Sequence, residues 1–281
     1  MAKLTDHHYG KARVRVLKIL RDGPGHTLKD IEVKAMLRGD FASSYTAGDN
    51  AKVVATDTIK NTVNVLAKEH LGVEIEAFAS RLAEHFVERY EQVTSAEIEI
   101  SERPWQRLEV DGQPHPHAFR AAGEARTFAR VVCEAGACQV FSGIRDLLIL
   151  KSTGSGFEGY PRDEFTTLPE TAERILATTF RASWKFTRPP ASYAQANGAI
   201  VAEMLKTFAE NFSPSAQTTL FQMGEAALTV CAEISQLELA MPNKHCLLIN
   251  LAPFGLSNDH EIFVPTDEPH GQIEATVTRD D

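Results

Sequence analysis

The sequence predicts an α+β chain of two similar halves, each an antiparallel sheet with helices on one face. Three observations carry this. Apolar and polar residues alternate with strand period near the start of the chain and again beyond residue 125. Each alternating region is followed by two stretches whose apolar residues recur at helical spacing. The order strand, strand, helix, helix, strand, strand thus occurs twice, with insertions in the second copy and no repeat of sequence. We place the first half at 1–120 and the second at 121–281.

Lys11–Leu20 alternates, with Val14 and Val16 on one face and Arg13 and Arg15 on the other. Asp22-Gly-Pro-Gly25 is a turn, and Leu28–Leu37 alternates again with Ile31, Val33, Ala35 and Leu37 together, which makes an antiparallel hairpin. A helix follows, capped by Asp57 or Thr58, striped by Ile59, Val63 and Leu66, and stopped by Gly72. A second runs over Ile75–Tyr90, with Phe78, Ala79, Leu82 and Phe86 on its apolar face. Strands are expected at Ala96–Ser101 and Arg107–Val110, and Asp111–Pro116 breaks regular structure. The second half reads as strands at Ala125–Cys133 and Cys138–Leu150, a loop over Ser152–Glu170 and a strand at Thr179–Phe186. Helices at Ala191–Phe212 and Gln217–Ala232 and strands at Gln236–Ala240 and Cys246–Leu251, ending in the Gly255 loop, complete it. Such sheets leave open edges, which invite closure by assembly into an oligomer.

Composition bounds the function. At 281 residues the chain holds roughly two domains and buries a core without a metal or disulfide staple. The 43% hydrophobic and 24% charged residues are ordinary globular values. Lys and Arg number 29 against 38 Asp and Glu, a net charge of −9, so nucleic acid is not an expected partner. No apolar run is long enough for a membrane-spanning helix, so no membrane partner is expected. The first residues lack the apolar core of a signal peptide, and the last three are not a peroxisomal Ser-Lys-Leu, so the expected location is cytoplasmic. Cys133, Cys138, Cys231 and Cys246 form no Cys-x-x-Cys, and free thiols are expected, although Cys133 and Cys138 flank a turn.

Several familiar chemistries are missing. There is no phosphate-binding Gly-x-x-x-x-Gly-Lys-Ser/Thr, no Gly-x-Gly-x-x-Gly, no Gly-x-Ser-x-Gly elbow and no His-Glu-x-x-His helix. His115-Pro-His117 offers two imidazoles without an evident third ligand, so no metal is assigned. Ser152–Phe157 reads either as a mobile surface loop or as part of a site. Phe157, Tyr160, Arg162 and Arg174 nearby suit a flat polar heterocycle, through stacking and a planar donor fork. Thr56 and Asp57 lie where backbone amides at a helix N-terminus bind anions, although Asp57 is also explained as a cap. Lys11 by itself reads as a solvated lysine.

Several blocks, in order, resemble the urate oxidase (uricase) family. They are Tyr9-Gly10-Lys11, Val53–Thr62, Leu150–Phe157, Arg162–Leu168, Arg174, and Pro242-Asn-Lys-His245 with Asn250-Leu251. Together they span most of the chain. The resemblance implies tandem tunnelling-fold repeats whose sheets join edge to edge into a barrel, as a homotetramer with active sites shared between subunits. It implies oxidation of urate by O2 to 5-hydroxyisourate and H2O2, with neither metal nor organic cofactor. By matching motifs, Phe157 would stack on the purine, Leu168 would pack on the ring, and Arg174 and Gln217 would hold opposite edges. Ala216 would offer its backbone where the family often carries valine. Thr56 and the backbone of Asp57 would reach the same urate from a neighbouring subunit. Asn243 and Thr56 would hold O2 or water above the ring, and Lys11, Thr56 and His245 would relay a proton. The glycine-rich loop around Ser155 is expected to move on binding. Two alternatives stay open: another tunnelling-fold enzyme acting on a purine or pterin, and a non-catalytic purine-binding protein.

Overall fold

A computed structural model describes residues 2–21 and 23–279. Packing gathers the chain into two compact units, Met1–Ile144 with Lys185–Ala194, and Arg145–Trp184 with Gln195–Asp281.

In the first unit β1 (Tyr9–Leu20), β2 (Thr27–Gly39), β3 (Val93–Arg103), β6 (Arg126–Glu134) and β7 (Ala137–Lys151) are sheet neighbours in that order. The opening hairpin is antiparallel, with Val14 opposite Val33 and Val16 opposite Ile31. Asp22, at its turn, lies outside the described residues. Ile31, Val33, Ala35 and Leu37 alternate inward as expected and are fully buried. They face α2 (Thr56–His70) and α3 (Ile75–Arg89), whose Ile59, Val63, Phe78, Leu82 and Phe86 supply the other wall of the core. A short helix, α1 (Ala42–Thr46), precedes them.

Three expectations are corrected here. Neither Asp57 nor Thr58 caps α2: Ala55 occupies the cap position without a side-chain bond, and Asp57 sits in the first turn. Its carboxylate is taken by Lys60 and Asn61 instead. The segment after Asp111 is not irregular. Asp111 and Gly112, at φ 53° and 73°, turn β4 (Trp105–Val110) directly into β5 (Gln113–Ala121), a separate two-stranded sheet. Asp-Gly is the residue pair such a tight turn prefers, and the prolines of β5 are tolerated because the hairpin is all edge. Finally, Cys133 and Cys138 are joined as a disulfide across the turn between β6 and β7, not free thiols. Ala135 and Gly136 adopt positive φ there and bring the two strand ends face to face.

In the second unit, which takes β7 from Arg145 on, β8 (Leu176–Phe186) has β7, β9 (Ile234–Ala240) and β10 (Asn243–Leu248) as sheet neighbours. The expected last strand thus starts and ends earlier than Cys246–Leu251. Two further strands were not legible: β11 (Phe263–Gly271) pairs with β10, and β12 (Glu274–Thr278) pairs with β9. The helices are α4 (Tyr193–Glu210) and α5 (Ala216–Val230). Phe180, Trp184, Ile200, Met204, Leu220 and Met223 are buried between them and the sheet. No described helix is long and apolar enough to cross a membrane.

Alkylation of the native chain without reductant, followed by mass spectrometry, should leave Cys133 and Cys138 linked. Only Cys231 and Cys246 should take up label once the chain is unfolded. Labelling of all four cysteines in the unreduced chain would show that the pair is open.

Candidate active site

The first unit presents Lys11, Thr56 and Asp57. Strand alternation counted from Val14 would send Lys11 to the outer face with Arg13 and Arg15. The register breaks between Lys11 and Val14, and Arg13 sits at φ 57°. This bulge puts one extra residue in β1 and turns everything before it over. Lys11 therefore pairs with buried Ala35 and Tyr9 with buried Leu37, on the face that carries the helices. Gly10 between them suits the tight approach of β2, because a Cβ there would lie 1.8 Å from the Ala35 carbonyl oxygen.

Tyr9 then fixes the start of α2. Its hydroxyl accepts from the Val54 N–H at 2.7 Å and lies 3.2 Å from the Val54 carbonyl oxygen, to which it donates. Its ring meets buried Phe41 edge-on at 4.8 Å. Val54 is two residues before Thr56, so one phenol ties the strand bearing Lys11 to the helix end bearing Thr56 and Asp57. Asp57 is exposed. Its hydrogen bond with Lys60 and that lysine's charge lower its pKa, and the charge of Lys11 adds a smaller effect in the same direction.

The second unit builds a cavity of about 370 Å³ whose wall includes Phe157, Leu168, Arg174, Asn243 and His245. Phe157 stacks on Tyr160, with centroids 4.8 Å apart and planes 13° apart, and the Arg174 guanidinium carbon lies 5.2 Å from the Phe157 centroid. Burial pushes the Arg174 pKa down from its ordinary value. Asn243 and His245 are two apart on β10, so they project on one face. Between them β11 changes register, from Gly271 opposite Asn243 to Thr266 opposite His245. Ala216 and Gln217 open α5, which Ser215 caps by accepting from the Thr218 N–H at 3.1 Å.

The glycine-rich loop is tied on both sides. Gly156 N–H donates to the Ser213 carbonyl and Ser213 N–H to the Gly154 carbonyl. Phe157 and Thr171 exchange backbone bonds, and Arg174 N–H donates to the Ser155 carbonyl at 2.7 Å. A Cβ on Gly156 would lie 3.0 Å from the Thr171 carbonyl oxygen, so glycine suits this approach. Lys151 ends the preceding strand with its ammonium on the carbonyls of Phe208 and Asn211, at the C-terminus of α4. Sequence reasoning missed Tyr9, Ser155 and Ser213 as site-building groups. The available signal was that Tyr9 and Ser155 lie within the motif blocks themselves; Ser213 lies in none of them.

The Phe157 ring, the Arg174 guanidinium fork, the Asn243 amide and the His245 imidazole surround one opening, a set able to stack on and hydrogen-bond a flat polar ligand. His115 and His117, with ring centroids 4.5 Å apart, have His26 as a neighbour. Among the described residues no group of three or more His, Cys, Asp or Glu side chains could hold a metal ion.

The uricase family model matches residues 7–132 and 140–274. The chain belongs to the uricase family. It is 41% identical to the uricase of Arthrobacter globiformis over 99% of this chain and 90% of that one. It is also 41% identical to an Arabidopsis thaliana uricase over 98% of this chain and 95% of that one. Its structure superposes on the Arthrobacter globiformis uricase crystal structure with a TM-score of 0.95 at 39% identity, covering 100% and 96% of the two chains. A Bacillus fastidious uricase, at 22% identity and TM-score 0.83 over 98% and 94%, shares the fold. The fold class is therefore the α+β tunnelling fold of the uricases, as the resemblance implied.

The Tyr9 anchor has a measurable consequence. Tyr9→Phe keeps the ring and strands the buried Val54 N–H, at a cost of about 1–3 kcal/mol. Burial raises the Tyr9 pKa above its ordinary 10.0. The folded chain holds that proton more tightly than the unfolded one, so this contribution is whole below the unfolded value and is lost as pH rises past it. Melting curves from about pH 8 to about pH 11 should show lower stability for Tyr9→Phe at neutral pH and a shallower alkaline decline than the parent. Parallel curves would refute the anchor.

Proposed function

We propose that the chain is a urate oxidase. Urate, O2 and one water give 5-hydroxyisourate and H2O2. The match to uricases along nearly the full length of both chains is the observation that carries this. The grouping of Phe157, Arg174, Asn243 and His245 around one cavity supports it chemically.

In this reading Phe157 stacks on the urate ring, Leu168 packs beside it, and the Arg174 fork binds one edge as it would a carboxylate. Gln217, with the backbone of Ala216, holds the opposite edge. Asn243 and Thr56 hold O2 or water above the ring. Lys11, Thr56 and His245 move the proton whose removal makes urate electron-rich, the hydroxyl both accepting and donating. Urate is itself the reductant, and the protein's tasks are positioning and proton removal, without metal or organic cofactor. We further propose a cytoplasmic homotetramer whose sheets close into a barrel, with Thr56 and Asp57 of a neighbouring subunit completing each cleft. In support, β1 pairs with β2 alone among the described strands and exposes Leu17 and Ile19. The tandem repeat, divided at 120/121, belongs to the same proposal.

Urate absorbance and dissolved oxygen, followed together in chelator-containing buffer without added cofactor, should fall in step while peroxide appears. Urate binding without oxygen loss would favour a purine-binding protein. Tightly bound stoichiometric zinc would favour a pterin-type relative. Lys11→Met and Thr56→Ala should lower kcat by about a hundredfold or more, whereas Arg174→Ala should mainly raise the urate KM, by at least about tenfold. Activity measured across a dilution series, with light scattering, should vanish with the tetramer. An active monomer would overturn the shared site.

A further inference from the structure

We infer that Ser213 and Thr219 are positioning residues that set the spacing between the Phe157–Arg174 wall of the cavity and the Ala216–Gln217 end of α5; this rests on the function proposed above, in which both hold urate. Ser213 is fully buried and Thr219 is 2% exposed, and neither lines the cavity. The Thr219 hydroxyl lies 2.6 Å from Ser213 Oγ, to which it donates, and 3.2 Å from the Ser215 carbonyl, and Ser213 Oγ donates to that same carbonyl at 3.1 Å. Thr219 lies two residues past Gln217 on α5, and Ser215 is the cap of that helix. The hydroxyl pair thus fastens Ser213 to the helix end that presents Ala216 and Gln217.

The backbone of Ser213 does the rest. It holds the loop by its bonds to Gly154 and Gly156, at 2.9 and 2.8 Å. Ser155, between those glycines, is also fully buried. Its carbonyl accepts from the Arg174 N–H, and its hydroxyl lies 3.4 Å from Arg174 Nε. One residue past Gly156 the chain presents Phe157. Phe157 and Arg174, which line the cavity, and the end of α5 that bears Gln217, which is outside its lining, are therefore all fastened to Ser213. Without the Thr219 hydroxyl, Ser213 Oγ keeps its donation to the Ser215 carbonyl but loses the donor it accepts from, and without Ser213 Oγ, Thr219 keeps only the Ser215 carbonyl; either way the bond that fastens Ser213 to α5 is gone and the close-packed segments shift. A shift of a few tenths of an ångström at Phe157 or Arg174 weakens the grip on a rigid planar ligand. The proposed proton relay draws on none of these bonds, so the loss is one of binding, not of chemistry.

The test is steady-state kinetics with urate, together with urate affinity measured without oxygen. Thr219→Val keeps the shape and removes the hydroxyl; Thr219→Ser keeps the hydroxyl; Ser213→Ala removes its partner. Thr219→Val and Ser213→Ala should raise the urate KM and Kd about tenfold. Their kcat should stay within about twofold and the pH profile of kcat should not move. Thr219→Ser should return KM to near the parent value. An unchanged KM in folded Thr219→Val, or a loss of active protein with both constants intact, would overturn the positioning role. If Ser213→Ala does not fold, the Thr219→Val and Thr219→Ser pair decides. A parent chain that neither binds nor oxidises urate would instead sink the proposed function, and this inference with it.

Discussion

One extra residue in β1 governs the first unit's contribution to the site. A lysine is costly to turn toward the packed side of a sheet, and regular alternation from Val14 would keep Lys11 in water. The bulge at Arg13 reverses that parity over Tyr9–Lys11 while the hydrophobic register of Val14 and Val16 stays intact. Lys11 is then half-buried beside the start of α2, within electrostatic reach of Asp57. Tyr9 follows it to the same face and uses its phenol to hold the chain entering the helix. A local irregularity thus moves a cation from the outer face of the sheet to the face that carries the helices, within electrostatic reach of Asp57 in the first turn of α2.

The second unit solves a different problem. A planar ligand needs a ring, a fork and an amide fixed at set distances, yet these come from three separate stretches of chain. Short backbone bonds join the stretches, between Phe157 and Thr171, between Arg174 and Ser155, and between Ser213 and the glycines. Such bonds leave no room for side chains, hence glycine at 156 and small buried hydroxyls at 155 and 213. The glycine-rich composition that reads as mobility in sequence serves close approach in the fold.

The Cys133–Cys138 pairing overturned an argument made from compartment rather than from geometry. Redox environment is a general prior, but two cysteines flanking a tight turn with positive φ at both central residues are brought into bonding range by the hairpin itself. The β4–β5 hairpin teaches a related lesson. Asp111-Gly112 was legible as a breaker, yet prolines at 114 and 116 hid the strand behind it because a peripheral ribbon does not need their missing donors.

The sequence by itself determined the class of fold, the two helix pairs, the inward stripe of β2 and, through ordered motifs, the uricase family. These follow from periodicities of two and 3.6 residues and from short contiguous residue patterns, which are local. It did not reveal β11 and β12: Phe263–Gly271 is largely exposed without apolar alternation, and Glu274–Thr278 offers only the short alternation of Ala275 and Val277. They are strands only because β10 and β9 offer partners. Nor did it reveal the face of Lys11, the anchoring role of Tyr9 or the buried hydroxyls around Ser213. Each depends on segments far apart in the chain or on a one-residue slip in register, as with Lys11 opposite Ala35, Tyr9 on Val54 and Ser213 on Gly156. Only tertiary packing decides these, because a hydrogen bond across such a separation leaves no trace in the pattern of either segment alone.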